Sequence, residues 1–188
     1  MIDTSRAWIQ TASGGKFHIL DPGLEEVHAV DIAHSLSMMC RWTGHVRKFY
    51  SVAEHSWHTS HLVPEEDALW ALMHDASEAY ISDMSRPLKH FTEAGKMYRE
   101  VEEKVMAVIC KKFGLPLSQP ITVTAADNAM LYAEKNQLMP PVEWDTKWSE
   151  SEKAAPVAIR CWSPDIAKTM FLQRFYELIK SKGELHCP

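Results

Sequence analysis

His74 and Asp75 stand side by side in an otherwise apolar helical run, Leu72 to Tyr80, with Glu78 one turn further on. An imidazole and two carboxylates bordering a core face are costly to desolvate unless something binds them. Adjacent residues of a helix lie about 100° apart, so His74 and Asp75 can converge on one ion over their shared edge. A nitrogen and an oxygen donor together suit zinc, cobalt, manganese, iron or nickel, and magnesium less well. Two ligands do not make a site, so partners must come from other helices. The preceding segment offers His55, His58 and His61 at i+3 spacing. His55, in the first turn of its helix, is the candidate, whereas His58 and His61 read as solvated or half-buried polar positions. A zincin helix is excluded, because Glu54 lies outside the pair His55 and His58 rather than between them.

The elements that must position these residues are helical. Asp31 can cap a first helix through Ile32, Ala33, Leu36 and Met39, ending near Arg41 to Gly44. Ser51-Val52-Ala53-Glu54 fits a capping box and starts a second helix, Val52 to about Leu62. Pro64 with Glu65, Glu66 and Asp67 opens a third, whose apolar stripe is Leu69, Leu72, Met73, Ala76 and Tyr80. A fourth carries Met97, Val101, Val105 and Ile109 and stops at Gly114, with Pro116 beyond. The fifth runs from about Val123 to Leu138, with Thr124 able to cap it, and Ser163-Pro164-Asp165 begins a last helix that Gly183 ends. Turn signals at Ser13-Gly14-Gly15 and Asp21-Pro22-Gly23 surround Phe17 to Leu20 and predict a short N-terminal hairpin or extended arm. The expected fold is an all-α, single-domain bundle over 1–188, with its core at about 31–138, an arm at 1–30 and a C-terminal helix at about 164–182.

Composition narrows the function classes. A chain of 188 residues suits one domain with a sizeable core. A net charge of -5 argues against a protein that grips nucleic-acid backbone, but not against a small anion in a local basic pocket. The four cysteines (Cys40, Cys110, Cys161, Cys187) form no C-x-x-C pair, which reads as a reduced, cytoplasmic protein without a zinc-thiolate site. No apolar run approaches the roughly 20 residues that span a bilayer, and no signal-peptide core is seen.

Glu54-His55-Ser56, then His74-Asp75-Ala76-Ser77-Glu78, then Ala126-Asp127 follow one another in the order His, His-Asp, Asp. In this the chain resembles the HD-domain phosphohydrolases, in particular the small phage and bacterial nucleotidases. The likeness runs from about Asp31 to Lys135 and includes Arg41-Trp42, Tyr50 to Ser56 and Asp83 to Lys89. The resemblance implies an HD-type helical bundle with His55, His74, Asp75 and Asp127 as ligands of one divalent ion (zinc, cobalt, manganese or magnesium). Open positions on that ion would take water and a phosphate oxygen. It further implies that Glu78 orients or deprotonates the attacking water or protonates the leaving group, and that Asp83 contacts the sugar hydroxyl or assists Glu78. Lys89 and Arg86 would supply positive charge to the phosphate, as a point charge and a fork respectively. Arg41 and Trp42 would line the nucleotide pocket, with Arg47 and Lys48 adding charge for a triphosphate. The implied activity is hydrolysis of deoxynucleotides by a dATP-preferring triphosphohydrolase; a 5′-deoxynucleotidase and a non-catalytic nucleotide-binding module are the alternatives. The implied partner is a small deoxynucleotide, not nucleic acid or membrane. The seven tryptophans leave room for an aromatic interface between copies, and such relatives are commonly oligomers. Residues after Leu138, including Trp144 and Trp148, lie outside the resemblance.

Overall fold

Ser13-Gly14-Gly15 reverses the chain, with Gly14 at a φ of +88° that favours glycine. The strands on either side, β1 (Trp8–Gln10) and β2 (Lys16–His18), pair antiparallel with Ile9 opposite Phe17. The structure, a computed structural model, describes residues 6–143, 154–181 and 183; Trp144 and Trp148 fall outside them. After the hairpin the fold is helical: α1 (Ala29–Met38), α2 (Val52–Thr59), α3 (Glu65–Met73), α4 (Glu78–Ile81), α5 (Arg86–Phe91), α6 (Glu93–Lys112), α7 (Ile121–Leu138) and α8 (Pro164–Ser181). Short 3-10 turns lie at Leu24–Glu26 and Trp42–Gly44. No helix among the described residues is long and apolar enough to cross a membrane. The chain forms two compact units, each built from two separate stretches: 1–36 with 75–118, and 37–74 with 119–188.

In the first unit Phe17 of β2 stacks on Tyr80 of α4 with ring centroids 3.7 Å apart, and Val27, Ile32, Leu36, Val105 and Ile109 are buried. Asp31 is not the cap of α1. It sits in the first turn, where its carboxylate accepts the Ser13 N–H at 2.7 Å and the Ser13 hydroxyl at 2.8 Å, fastening the hairpin turn to the helix. Helix α5 was not anticipated, because six residues containing Pro87 and two cations read as a loop. It packs so tightly on α6 that a Cβ on Gly95 would run into the carbonyls of Leu88 and Lys89. Along α6, Val105 and Ile109 are buried as the stripe predicts, but Met97 is exposed.

In the second unit α2 and α3 pack on each other, and each packs on α7 and on α8. Ser51 caps α2, its hydroxyl accepting the Glu54 N–H at 3.1 Å. The Glu54 side chain does not return to the cap as a capping box would have it. Its carboxylate accepts the backbone N–H groups of Arg160, Cys161 and Trp162 at 2.7, 3.1 and 2.7 Å. Helix α2 ends at Thr59, short of the expected Leu62. Helix α7 is preceded by Pro120, not capped by Thr124.

The predicted third helix is interrupted. It stops at Met73, and α4 begins only at Glu78. Between them the N–H groups of Glu78, Ala79 and Tyr80 bond back three residues, to Asp75, Ala76 and Ser77 at 3.0, 3.3 and 3.0 Å. Such i→i−3 bonding tightens the winding without reversing its hand. Leu69, Leu72, Met73, Ala76 and Tyr80 therefore all remain buried although the helix is broken.

Candidate metal centre

His55 enters the second unit's core because the Ser51 cap starts α2 immediately before it. The helix is almost wholly buried, and His55 is fully so. The ring is held from behind: Nδ1 lies 2.6 Å from Oε1 of Glu134 on α7. Its Nε2 lies 3.1 Å from Nε2 of His74 and 3.1 Å from Oδ1 of Asp127. His74 occupies the end of α3, where the last turn leaves carbonyls to be satisfied. Its Nδ1 faces the Ala71 carbonyl at 2.7 Å, and its Nε2 is 3.8 Å from Asp127 Oδ1. Asp127 is 40% exposed, so the cluster reaches solvent on its side.

These contacts assign the tautomers. A neutral imidazole carries one N–H and one bare lone pair. Opposite a carbonyl and a carboxylate, which only accept, each Nδ1 must carry the hydrogen, and each Nε2 is left with its lone pair. Two nitrogen lone pairs and a carboxylate oxygen therefore converge within 3.8 Å, all acceptors. A cation or an added proton among them would satisfy such an arrangement. Two imidazoles and a carboxylate are a donor set that fits zinc, cobalt or manganese, with the Nδ1 partners fixing ring orientation. Asp75 follows His74 directly in the chain.

Glu134 is fully buried and gathers three side-chain donors: His55 Nδ1 at 2.6 Å, Arg41 Nε at 3.0 Å and Trp42 Nε1 at 2.9 Å. Burial alone would raise its pKa. The Arg41 guanidinium, then His55 and the Trp42 N–H, override this and hold it down to about 2, so it is a carboxylate at neutral pH. Arg41 and Trp42 thus turn their donor groups toward Glu134. Trp42 and Thr43 take φ of +57° and +53°, in the left-handed region. That conformation costs a non-glycine residue roughly 1–2 kcal/mol. An isolated antiparallel bridge between the 39–41 and 50–52 segments holds the turn in place, through Arg41 N–H to Tyr50 O at 2.9 Å and Val52 N–H to Met39 O at 3.1 Å.

The remaining predicted residues belong to the first unit. Glu78 is buried at the start of α4, and its carbonyl accepts the Ser82 N–H at 2.8 Å. Ser82, at φ +64°, makes the sharp turn before Asp83, and the Tyr98 hydroxyl donates to its carbonyl at 2.5 Å. Burial, then the charges of Glu102, Glu78, Asp83 and Asp75, push the Tyr98 phenol well above its ordinary value. Lys89 is half-buried on α5, its Nζ 2.7 Å from Glu102 Oε1 and 5.5 Å from the Tyr98 ring. Arg86 and Asp83 are exposed.

No protein-family model matches the chain. It is 39% identical over 178 residues to uncharacterized protein YfdR of Escherichia coli K12, covering 92% of this chain and 96% of that one. It is also 34% identical over 193 residues to uncharacterized protein RCAP_rcc00048 of Rhodobacter capsulatus, covering 94% and 97%. The chain belongs to the YfdR family. Because both matches run nearly end to end, the family likeness takes in both units.

In this YfdR-family chain, His55, His74 and Asp127 converge within one unit, and Asp75 adjoins His74. Arg41 and Trp42 join them through Glu134. Glu78, Asp83, Arg86 and Lys89 share the other unit, where Tyr98 and Glu102 of α6 engage Ser82 and Lys89. Arg47 and Lys48 line a cavity of about 370 Å³ with Gln137, Leu138, Ile159 and Cys161. Sequence reasoning missed Glu134. The signal was present: Glu134 falls on the buried stripe of α7 with Val123, Ala126, Met130 and Ala133, two turns beyond Asp127. A carboxylate on an apolar stripe needs donors. It likewise missed Glu54 as a buried acceptor and Tyr98 as an anchor, because their partners are backbone groups that side-chain patterns do not encode.

Proposed function

We propose that this chain is a metal-dependent phosphohydrolase of the HD type that acts on deoxynucleotides, with dATP preferred among deoxynucleoside triphosphates. One observation carries the reading. His55 and His74 each have Nδ1 committed to an acceptor, which leaves two Nε2 lone pairs beside Asp127 Oδ1 within 3.8 Å. His55, His74, Asp75 and Asp127 would hold the ion. When bound, it supplies Lewis acidity toward a phosphate oxygen and makes water a stronger acid.

The reaction adds water to the α-phosphorus, breaks the bond from that phosphorus to the deoxyribose 5′ oxygen, and releases triphosphate. Glu78 takes the proton from the attacking water, and the departing 5′ oxygen receives one. Asp83 orients the sugar or assists Glu78. Lys89 and Arg86 neutralise phosphate charge, the first as a point charge and the second as a fork. For a triphosphate, Arg47 and Lys48, which line a cavity in the same unit as His55, would supply further positive charge. Arg41 Nε and Trp42 Nε1 are engaged by Glu134, and Arg47 Nη2 by the Gln137 carbonyl at 2.9 Å.

The test is a panel of deoxynucleoside tri- and monophosphates incubated with the manganese- or cobalt-loaded protein, with products resolved. Inorganic triphosphate is expected. Orthophosphate from monophosphates alone would overturn the triphosphate assignment in favour of a 5′-deoxynucleotidase. No hydrolysis of any phosphoester would overturn the enzyme reading. Glu78→Ala should cut turnover by about 10²–10⁴-fold, the range for losing a general base, while metal binding persists.

A further inference from the structure

Arg41 and Trp42 have the residue types expected of nucleotide contacts, yet Arg41 Nε and Trp42 Nε1 are both turned into the protein. Arg41 Nε and Trp42 Nε1 reach the same oxygen, Oε2 of Glu134, at 3.0 and 2.9 Å. The other oxygen, Oε1, takes His55 Nδ1 at 2.6 Å. The two carboxylate oxygens therefore have separate duties, one gripping the 41–42 turn and the other gripping the imidazole. The turn adopts a conformation that tryptophan and threonine avoid, with φ of +57° and +53°. A strained backbone persists where its surroundings over-determine it, and here the indole N–H is delivered to a fully buried carboxylate.

We propose that Glu134, Arg41 and Trp42 are positioning residues that act on His55. They lock its ring in the Nδ1–H form with the Nε2 lone pair directed at His74 and Asp127. The proposal rests on the metal-site reading above and deepens it, because it assigns Arg41 Nε and Trp42 Nε1 to the support of a ligand. Arg41 fixes where the carboxylate sits, since its guanidinium approaches through Nε. Trp42 adds a second donor to the same oxygen, which leaves Oε1 for His55. Outer-shell carboxylates of this kind raise ligand basicity and set the tautomer, and their loss weakens metal affinity about 10–100-fold.

The test uses the full chain and three variants: Glu134→Gln, Trp42→Phe and Arg41→Gln. Glutamine keeps the shape, removes the charge and can offer its amide N–H to Nδ1. Two readouts are taken, manganese affinity by calorimetry and the His55 tautomer by ¹⁵N NMR of the metal-free protein. Glu134→Gln is expected to weaken manganese binding about 10–100-fold and to deplete the Nδ1–H form. Trp42→Phe and Arg41→Gln should weaken binding in the same direction by less. Unchanged affinity and tautomer in Glu134→Gln would overturn the proposal. So would an Arg41→Gln or Trp42→Phe protein that raises substrate KM with metal affinity and tautomer intact, because those residues would then be substrate contacts. If Glu134→Gln does not fold, Trp42→Phe replaces it, since it removes one N–H and keeps an aromatic ring: weakened manganese binding upholds the proposal, and unchanged affinity and tautomer overturn it. If the wild type takes up no manganese, the metal reading fails, and the tautomer alone decides the positioning role: altered by Glu134→Gln upholds it, unaltered overturns it.

Discussion

Two buried carboxylates flank the first turn of α2, and the protein neutralises them by different means. Glu54, one residue before His55, is met by three consecutive backbone N–H groups, those of Arg160, Cys161 and Trp162. Glu134, facing His55 from α7, is met by three side chains, those of His55, Arg41 and Trp42. Backbone donors belong to the fold. They stitch the segment before α8 to α2, including Cys161 at φ +55°, while the neighbouring His58 Nε2 stands further off, 3.6 Å from Glu54 Oε1. Side-chain donors carry orientation, so Glu134 relays the position of the 41–42 turn to the ring of His55. Equal burial thus serves different ends, and the type of donor tells which.

The comparison breaks most visibly at Glu54. Glu54→Ala leaves three backbone N–H groups without their acceptor, and should cost on the order of 3–5 kcal/mol in chemical denaturation. Glu54→Gln, which keeps an accepting oxygen, should cost less. Folded protein recovered with stability near the wild type would remove Glu54 from its structural role. Glu134→Ala should fall second in stability, by roughly 1–3 kcal/mol, because the Arg41 side chain is 16% exposed and can regain water. Its main effect belongs to metal affinity, and a loss of stability larger than that of Glu54→Ala would merge the two cases. Ser51→Ala probes the turn they share. It removes the cap of α2, for about 1 kcal/mol in the same unfolding assay, with metal affinity unchanged.

Glu26 supplies the mild end of the series. Burial alone would raise its carboxyl, but the His18 N–H and ring and the Gly23 N–H together hold it below the usual value of 4.5. A depressed carboxyl contributes stability that is fully present above its unfolded pKa and lost as pH falls through the folded one. Wild type should therefore lose more stability than Glu26→Gln as pH is lowered below 4.5, with the two parallel above it. Unfolding midpoints measured across that window check the sign, and a steeper decline in the variant would reverse it.

Much of the fold was legible because its signals are local. The Ser51 cap, the Gly114 stop after α6 and the Ser163-Pro164-Asp165 start of α8 each involve neighbours within one or two turns. What was illegible had non-local causes. The break between α3 and α4 escaped because i→i−3 winding leaves the apolar stripe buried, so hydrophobic periodicity cannot register it. Helix α5 escaped because it is held from outside, by the close approach at Gly95 and by the Arg99 guanidinium donating to the Lys89 carbonyl. At the site, spacing singled out His55, His74 and Asp75, and the family likeness added Asp127. Glu134 is 79 residues from His55, and only folding brings the two together.

Titrating the metal-free protein with manganese in a calorimeter decides whether His55, His74 and Asp127 hold a metal, with His55→Ala and His74→Ala as comparisons. One ion per chain in the wild type, sharply weakened in both variants with their helical content retained, is the predicted result. No uptake by the wild type at millimolar manganese, or binding that both substitutions leave unchanged, would contradict it: the convergence of His55, His74 and Asp127 would then be held by a proton rather than a metal.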